Sequence, residues 1–174
     1  MSRADAASDG AIREARPDDL PRYAVIERAA ATLYAPWGLD GVFESTPTEP
    51  ERVARAIAEH DLIVAADPQD VMIGYALVGM EGTDLHLEEL AVEPAHGRRG
   101  HGTALLCATI ALGRSRGARR ITLVTLDFVP FGKAVYERCG FAVLAPTALS
   151  PQLRELAPPD ARDGRVARAL SLSG

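Results

Sequence analysis

The stretch LEELAVEPAHGRRGHGTALL, residues 87–106, constrains the fold of this chain more than any other. A β-rich run leads into a proline, then a segment with three glycines and two arginines, then an apolar helical pattern. Glycines allow a sharp turn and a close approach of the backbone to a ligand. The first turn of a helix adds N–H groups and the positive end of its dipole. We therefore predict an anion site whose cradle consists of Arg98, Arg99, Gly100, His101, Gly102 and Thr103.

Two familiar phosphate-binding loops do not fit this stretch. A Walker A loop requires Gly-Lys-Ser/Thr, and these residues do not occur here in that order. The dinucleotide-binding fingerprint requires a third glycine where Leu105 stands, and it belongs to the first βα unit of a Rossmann sheet. Three predicted strands and two predicted helices precede the βα unit that contains this loop, which also argues against a Rossmann sheet.

Apolar periodicity and turn residues predict the order of the secondary structure elements. The predicted strands are residues 11–17, 61–67, 71–80, 83–94, 118–128, 141–145 and 165–172. The predicted helices are residues 18–34, 48–60, 100–117 and 131–140, with one helical turn within 150–164 and a loop over 35–47. Asp18 or Asp19 is the expected N-cap of the first helix, and Thr48 that of the second.

The order of these elements predicts an α/β fold with a mixed sheet. The helix over 100–117 lies between two strands and is typical of a crossover that joins parallel strands. The runs 61–67 and 71–80, joined by Pro-Gln-Asp, are typical of an antiparallel hairpin. We expect a mostly antiparallel, twisted sheet of about seven strands with helices on both faces.

Composition is typical of one globular domain, residues 1–174, with a polar tail over residues 1–10. The net charge of −5 argues against non-specific binding to nucleic acid. Residues 1–90 carry 18 acids and 7 arginines (−11), whereas residues 91–174 carry 6 acids and 12 basic residues (+6). This asymmetry indicates either two partners of opposite charge or two solvated surfaces.

The cysteines and the lengths of the apolar runs indicate whether to expect a metal site, a disulfide framework or a membrane span. Cys107 and Cys139 lack the spacing of a metal site or a disulfide framework, so we expect no metal and a cytoplasmic protein with reduced thiols. Cys107 lies inside a predicted helix and is expected to be buried. No apolar run reaches 18 residues, so we expect no membrane span.

Two motifs in this order resemble the GCN5-related N-acetyltransferase (GNAT) superfamily. That family carries Gln/Arg-x-x-Gly-x-Gly/Ala between its fourth strand and third helix, matched here by Gly100 and Gly102. It also carries a downstream Tyr-Glu-x-x-Gly-Phe element, matched by residues 136–141. The chain departs from the family at Gly97 and Arg98, where glycine and arginine stand in exchanged order, and in having no asparagine at the start of the fourth helix.

The resemblance implies a sheet that splays between strands 4 and 5, and acetyl-CoA as the co-substrate. It implies that the backbone of Leu90, Ala91 and Val92 binds the pantetheine arm and the thioester oxygen. Tyr136 holds the family position of the general acid, which protonates the leaving thiolate. Lys133 is a candidate for contact with a phosphate of coenzyme A, the alternative being a solvated lysine.

Three residues of the strand over 83–94 are candidates for the general base: His86, Glu88 and Glu89. Strand alternation puts His86 and Glu88 on one face and Glu89 on the other. His86 has a suitable ordinary pKa, whereas either glutamate would need a raised one and would act through water. All three are equally compatible with a solvated strand face, so the choice stays open. The resemblance adds one more alternative, because family members often use ordered water and need no side chain as the base.

The expected function is transfer of an acetyl group from acetyl-CoA directly to an amine, either a small molecule or a peptide. The alternative is a non-catalytic acyl-CoA-binding module of the same fold. Tyr34 and Trp37 lie in or beside a loop that commonly walls the acceptor pocket in this family, and Asp127 and Glu27 are candidate amine ligands. Family members are often two-fold dimers, so a homodimer is among the expected states.

Overall fold

A computed structural model of the chain describes residues 10–39, 41, 47–160 and 162–172. Seven strands are labelled in chain order: β1 (Ala11–Glu14), β2 (Leu62–Ala66), β3 (Met72–Glu81), β4 (Asp84–Val92), β5 (Arg120–Leu126), β6 (Ala142–Val143) and β7 (Arg165–Ser171). The α-helices are α1 (Leu20–Ala31), α2 (Pro50–Ala58), α3 (His101–Ser115), α4 (Pro130–Arg138) and α5 (Pro151–Leu156). Short 3₁₀ helices cover Pro17–Asp19, Thr32–Trp37, Pro94–His96 and Pro146–Ala148.

The seven strands form one sheet in the order β1-β2-β3-β4-β5-β7-β6. Strands β4 and β5 pair in parallel, whereas β1 with β2, β2 with β3, β5 with β7 and β6 with β7 pair antiparallel. The parallel pair is the one that α3 connects, as a crossover requires. The predicted mixed sheet of about seven strands is confirmed.

The element bounds differ from the sequence prediction mainly at chain turns. The predicted helix over 18–34 ends as an α-helix at Ala31 and continues as a 3₁₀ helix to Trp37, inside the segment predicted as a loop. Pro36 lies in this 3₁₀ stretch and has no N–H to continue an α-helical ladder. The predicted strand over 141–145 contracts to two residues, because the chain turns into the 3₁₀ helix at Pro146.

Asp19, one of the two predicted alternatives, is the N-cap residue of α1, whereas Thr48 is not the N-cap of α2. No side chain caps α1, and the Asp19 carboxylate instead accepts hydrogen bonds from the Arg13 guanidinium and the Arg16 N–H. The N-cap of α2 is Glu49, and the Thr48 hydroxyl donates to a carboxylate of α1.

Internal contacts divide the chain into two compact units, which are described separately. The first comprises Met1–Val78 and Glu89–Thr109. Its core joins α1, α2, β2, β3 and the end of β4, and includes Tyr23, Ile26, Val53, Leu62 and Tyr75. The predicted tail over residues 1–10 falls outside the described residues except for Gly10.

The second unit comprises Gly79–Glu88 and Ile110–Gly174. Its frame is the antiparallel ladder of β5 with β7, which runs from the pair Arg120–Ser171 to the pair Leu126–Arg165. A small cluster of Leu153, Ala157 and Ala167 packs α5 against this ladder.

Helix α3 corrects one expectation about the cysteines. Cys107 is exposed, whereas Leu105, Leu106 and Thr109 are buried. A residue two positions after Leu105 points about 200° away around a helix, and therefore leaves the buried face. Within the described part of the chain, no helix is long and apolar enough to cross a membrane.

Candidate active site

Strand β4 places the three candidate bases in different environments, and His86 is the most enclosed of them. The residue is 5% exposed, and its Nδ1 lies 2.9 Å from Oγ1 of Thr122 on β5. Burial lowers the pKa of this imidazole, although the negative charge of Glu88 opposes the shift. His86 is thus held as a neutral group inside the second unit, with one ring nitrogen already engaged.

Glu88 and Glu89 are neighbours with opposite surroundings. Glu88 is exposed. Glu89 belongs to the first unit, where the Tyr23 phenol donates to its Oε2 at 2.7 Å and the Tyr75 phenol donates to its Oε1 at 2.8 Å. The two tyrosine rings stack with centroids 4.1 Å apart. Each oxygen of this carboxylate is therefore held by one phenol on a rigid aromatic pair.

The pKa of Glu89 is raised above its ordinary value. Burial is the largest cause, and the negative charge of Glu27 adds to it. The hydrogen bonds from Tyr23, Tyr75 and Thr48 stabilise the carboxylate and oppose the shift. A carboxyl group with this balance takes up protons more readily than an exposed glutamate, as a general base near neutral pH requires.

Thr48 connects Glu89 to a second carboxylate. Its Oγ1 donates to Oε1 of Glu27 at 2.7 Å and lies 3.4 Å from Oε2 of Glu89. The N–H of Thr48 donates to the same Oε1 of Glu27 at 2.9 Å. Glu27, on α1, is half-buried. The first unit thus contains a continuous group of polar atoms from Glu89 to Glu27.

The aromatic candidates of the acceptor loop lie in the 3₁₀ helix after α1. Tyr34 is half-buried, and burial together with the charge of Glu89 raises the pKa of its phenol. Trp37 is 37% exposed. Within the predicted loop over 35–47, residues 40 and 42–46 lie outside the described residues.

The glycine-rich turn has an unusual backbone between β4 and α3. Arg98 adopts the left-handed region with φ of 60°, as does Gly100 with φ of 85°. Gly97 has ordinary φ, but a Cβ there would lie 3.1 Å from the carbonyl oxygen of Pro94. Gly97 therefore stands where a side chain would come close to the Pro94 carbonyl, and an arginine, Arg98, adopts the left-handed conformation.

The start of α3 offers backbone donors in open space. The N–H of Ala104 bonds to the carbonyl of Gly100, so Gly102 and Thr103 precede the intrahelical ladder. No described atom outside its chain neighbours and its own helix lies within 4 Å of the position that a Cβ of Gly102 would take. The Arg98 and Arg99 side chains are exposed, whereas His101 is 4% exposed. The predicted cradle residues therefore share one turn, with His101 turned inward.

Strand β4 extends beyond its ladder with β5. In the described chain that ladder ends at the pair Leu87–Leu123, although both strands continue. On its other side β4 stays bound to β3, since the N–H of Glu93 donates to the carbonyl of Ile73 at 2.8 Å. Ala91 is buried in the core of the first unit, with its neighbours Leu90 and Val92 half-buried.

Helix α4 carries Tyr136 and Lys133 in the second unit. The half-buried Tyr136 packs edge-on against Phe141 with centroids 6.0 Å apart. Lys133 Nζ lies 3.3 Å from Oδ2 of Asp127. Oδ1 of the same Asp127 accepts a 2.7 Å hydrogen bond from Arg168 of β7, which also lies 3.3 Å from Glu137. Arg168 is 2% exposed, so a buried cation ties the end of β5 to α4.

A family model described as "Acetyltransferase (GNAT) family" matches residues 23–141. The chain belongs to the GNAT acetyltransferase family. The match includes β4, the glycine-rich turn, α3 and the Tyr-Glu-x-x-Gly-Phe element, which are the segments that carry the sequence resemblance.

Solved structures agree with this acetyltransferase in fold. The PaiA N-acetyltransferase of Thermoplasma acidophilum, in complex with coenzyme A, has a TM-score of 0.71 at 16% identity over 93% of this chain and 98% of that one. The ribosomal-protein-S18-alanine N-acetyltransferase of Escherichia coli has a TM-score of 0.68 at 21% identity, covering 95% of both chains. A phosphinothricin acetyltransferase of Sinorhizobium meliloti, in complex with AcCoA, has a TM-score of 0.70 at 20% identity, over 95% and 89%.

Four residues of this GNAT acetyltransferase that sequence analysis did not connect with the site are Tyr23, Tyr75, Thr48 and Arg168. A signal existed for Tyr75, because a phenol inside the apolar run VMIGYALVGM needs a hydrogen-bond partner when buried. Thr48 was assigned to a helix cap. Arg168 gave no signal, since arginine in a short strand is ordinarily exposed.

Proposed function

We propose that this acetyltransferase transfers the acetyl group of acetyl-CoA directly to the nitrogen of an amine, with Glu89 as general base and Tyr136 as general acid. One observation carries the proposal: the half-buried carboxylate of Glu89 has each of its two oxygens held by one phenol, that of Tyr23 or that of Tyr75. Burial raises the pKa of this carboxyl group, which agrees with the role. The family membership does not favour the non-catalytic alternative.

The base is needed because an alkylamine with a pKa of about 10.4 is protonated at neutral pH and cannot attack a thioester. Glu89 accepts the proton, directly or through a water molecule, and the neutral nitrogen then attacks the carbonyl carbon. His86 is a weaker candidate because its imidazole is bonded to Thr122 and buried. Glu88 is weaker because its side chain is exposed, whereas both oxygens of Glu89 are held in place by phenols.

The co-substrate would bind along the turn and the strand that precedes it. The N–H groups at Gly102 and Thr103 and the positive end of α3 suit a pyrophosphate. The guanidinium groups of Arg98 and Arg99 would add long-range attraction from solvent. Main-chain groups of Leu90–Val92 would bind pantetheine and donate to the oxyanion that forms on the thioester. Coenzyme A and AcCoA are the ligands named for the Thermoplasma and Sinorhizobium proteins.

Tyr136 would complete the reaction by protonating the leaving thiolate. The nitrogen still carries one proton too many after its attack, and this proton would restore the Tyr136 phenol, directly or through water. An ordinary thiol has a pKa of about 8.5, so its thiolate departs more easily when it receives a proton. Lys133 is held by Asp127 at 3.3 Å, so any contact with a phosphate of coenzyme A would compete with that ion pair.

The acceptor is proposed to be a cationic amine. Glu89 and Glu27 supply two carboxylates within one hydrogen-bonded group, which favours a positively charged ligand over an anionic one. The two halves of the sequence agree with this, because the half with the net charge of −11 contains both carboxylates.

The test is thiol release from acetyl-CoA across a panel of amines: a linear diamine, an aminoglycoside, a neutral arylalkylamine, an acidic amino acid and a peptide with a free N-terminus. With the fastest acceptor, Glu89→Gln should lower kcat by about 10²- to 10⁴-fold, and Tyr136→Phe should also lower it. Glu88→Gln is the matched control on the adjacent, exposed position. Absence of release with every amine would favour the non-catalytic module, and preference for the acidic amino acid would exclude a cationic acceptor.

A further inference from the structure

A proton taken up by Glu89 must leave before the next turnover, and its direct neighbours limit how it can do so. Both oxygens accept hydrogen bonds from the phenols of Tyr23 and Tyr75. Burial raises the pKa of both phenols, so they stay protonated and act as donors. The remaining polar neighbour at Oε2 is the hydroxyl of Thr48.

The hydroxyl of Thr48 has the polarity that a proton relay requires. Its own hydrogen points to Oε1 of Glu27 at 2.7 Å, which leaves oxygen lone pairs on the side of Glu89. The same hydroxyl is within reach of Oε2 of Glu89, but at 3.4 Å this is the longer and weaker of its two carboxylate contacts. A protonated Glu89 carries a hydrogen of its own and becomes a donor to Thr48.

The segment before α2 is also tied to α1 by a contact that does not involve the hydroxyl. The backbone N–H of Thr48 already donates to Oε1 of Glu27 at 2.9 Å, which ties the residue before α2 to α1. A side chain used only for anchoring would duplicate this contact. The second, side-chain hydrogen bond adds a path between two carboxylates.

We propose that Thr48 and Glu27 form the exit route for the proton that Glu89 takes from the acceptor amine. This inference rests on the proposed role of Glu89 as the base. The ammonium gives one proton to the Glu89 carboxylate, which becomes a carboxylic acid. That acid gives its proton to Oγ1 of Thr48 while the Thr48 hydroxyl proton passes to Oε1 of Glu27. Glu89 is a carboxylate again, Thr48 is unchanged, and the Glu27 carboxylic acid releases its proton to water.

The relay predicts a kinetic effect that differs from the effect of losing the general base. With the fastest amine of the panel, Thr48→Val should leave the first turnover intact and lower steady-state kcat by about 10-fold or more, because each later cycle waits for Glu89 to lose its proton. Thiol release should then show a burst equal to the enzyme concentration. Thr48→Ser restores the hydroxyl and should recover most of the lost turnover, and a small diffusible base such as imidazole should accelerate the valine variant.

Glu27→Gln provides the second test and should give the same burst, since the amide cannot accept the relayed proton. Thr32→Val is the matched control, because its hydroxyl donates to the carbonyl of Ala29 outside this group. Unchanged kcat in Thr48→Val and Glu27→Gln, with Glu89→Gln inactive, would overturn the relay and leave the base. A slowed first turnover in Thr48→Val would also overturn it, by indicating a structural role. Wild-type turnover in Glu89→Gln would instead overturn the proposed base itself.

Discussion

The phenol of Tyr75 donates a 2.8 Å hydrogen bond to Oε1 of Glu89. Tyr75 lies in the middle of β3 and is fully buried, whereas Glu89 is half-buried. The hydrogen bond favours the charged form of Glu89, while the same burial disfavours it. Burial is the larger effect, and the pKa of Glu89 is therefore raised but not as far as it would be without the phenol.

Removal of the Tyr75 phenol should shift the acidic side of the pH profile of kcat/KM. Tyr75→Phe removes a donor to the carboxylate, so the pKa of Glu89 should rise further. A general base works when deprotonated, and kcat/KM falls as the pH falls through its pKa. The acidic side should therefore shift to higher pH in Tyr75→Phe, and in the same direction in Tyr23→Phe, as measured by kcat/KM from pH 5 to 9.

The alkaline side of the same kcat/KM profile provides the control for this experiment. Tyr136→Phe should affect the alkaline side of the profile, because the acid works when protonated. An acidic side that stays in place in both Tyr75→Phe and Tyr23→Phe would contradict the assignment of Glu89, since neither phenol touches another candidate base in the structure described.

The sequence patterns predict which strand carries the candidate bases, but they do not predict the side-chain contacts of those residues. Strand alternation puts His86 and Glu88 on one face and Glu89 on the other, but the structure buries His86 and exposes Glu88. Alternation does not reveal that Thr122 lies against His86, or that phenols of α1 and β3 enclose Glu89. Those contacts join segments that are distant in sequence, and their geometry depends on how the elements pack.

In the glycine-rich turn, too, the sequence predicts the type of structure but not the conformation of each residue. The motif predicts a tight turn before a helix, and α3 begins at His101 as expected. Which residue takes the left-handed conformation is decided by local contacts. The carbonyl of Pro94 lies close to Gly97, and Arg98 rather than Gly97 has positive φ.

Gly102→Ala should separate co-substrate binding from stability. Apart from its chain neighbours and the backbone of its own helix, no described atom lies within 4 Å of a Cβ at Gly102. Alanine is a better helix former than glycine by up to about 1 kcal/mol. The melting temperature should therefore stay equal or rise. If pyrophosphate approaches these N–H groups, the added methyl group should raise the KM for acetyl-CoA by about 10-fold, which corresponds to about 1.4 kcal/mol.

Gly113→Ala is the matched control in the same helix. Its Cβ would lie 2.9 Å from Cδ1 of Leu172, so this variant should lose stability and keep its KM for acetyl-CoA. An unchanged KM in Gly102→Ala would place the anion elsewhere than at the start of α3.

Arg98→Gly should stabilise the fold. A non-glycine residue in the left-handed region costs about 1–2 kcal/mol, and glycine adopts it freely. A gain of about 1 kcal/mol corresponds to a rise in melting temperature of about 2–4 °C for a chain of this size. Arg99→Gly removes an exposed arginine that is not left-handed, and should not raise the melting temperature. A rise in Arg99→Gly alone would contradict backbone strain at Arg98.

Substitution of Arg168 and substitution of its partner Asp127 should lower the free energy of unfolding by different amounts. The Arg168 side chain is 2% exposed, whereas Asp127 and Glu137 are 41% and 49% exposed. Asp127→Ala leaves a buried guanidinium that has lost its 2.7 Å partner and whose Nε has no other described partner. Removing one partner of a buried ion pair costs about 3–5 kcal/mol, and the remaining contact with Glu137 should hold the loss near the lower end.

Arg168→Met removes the buried charge itself, and water can then solvate the two exposed carboxylates. Its loss of unfolding free energy in urea should be smaller than that of Asp127→Ala, at about 1 kcal/mol. Lys133→Met also removes a partner of Asp127 but leaves no buried charge, so it is the control expected to change stability least. Equal losses in Arg168→Met and Asp127→Ala would mean that the cation contributes through its own packing, and not through the cost of leaving it unpaired.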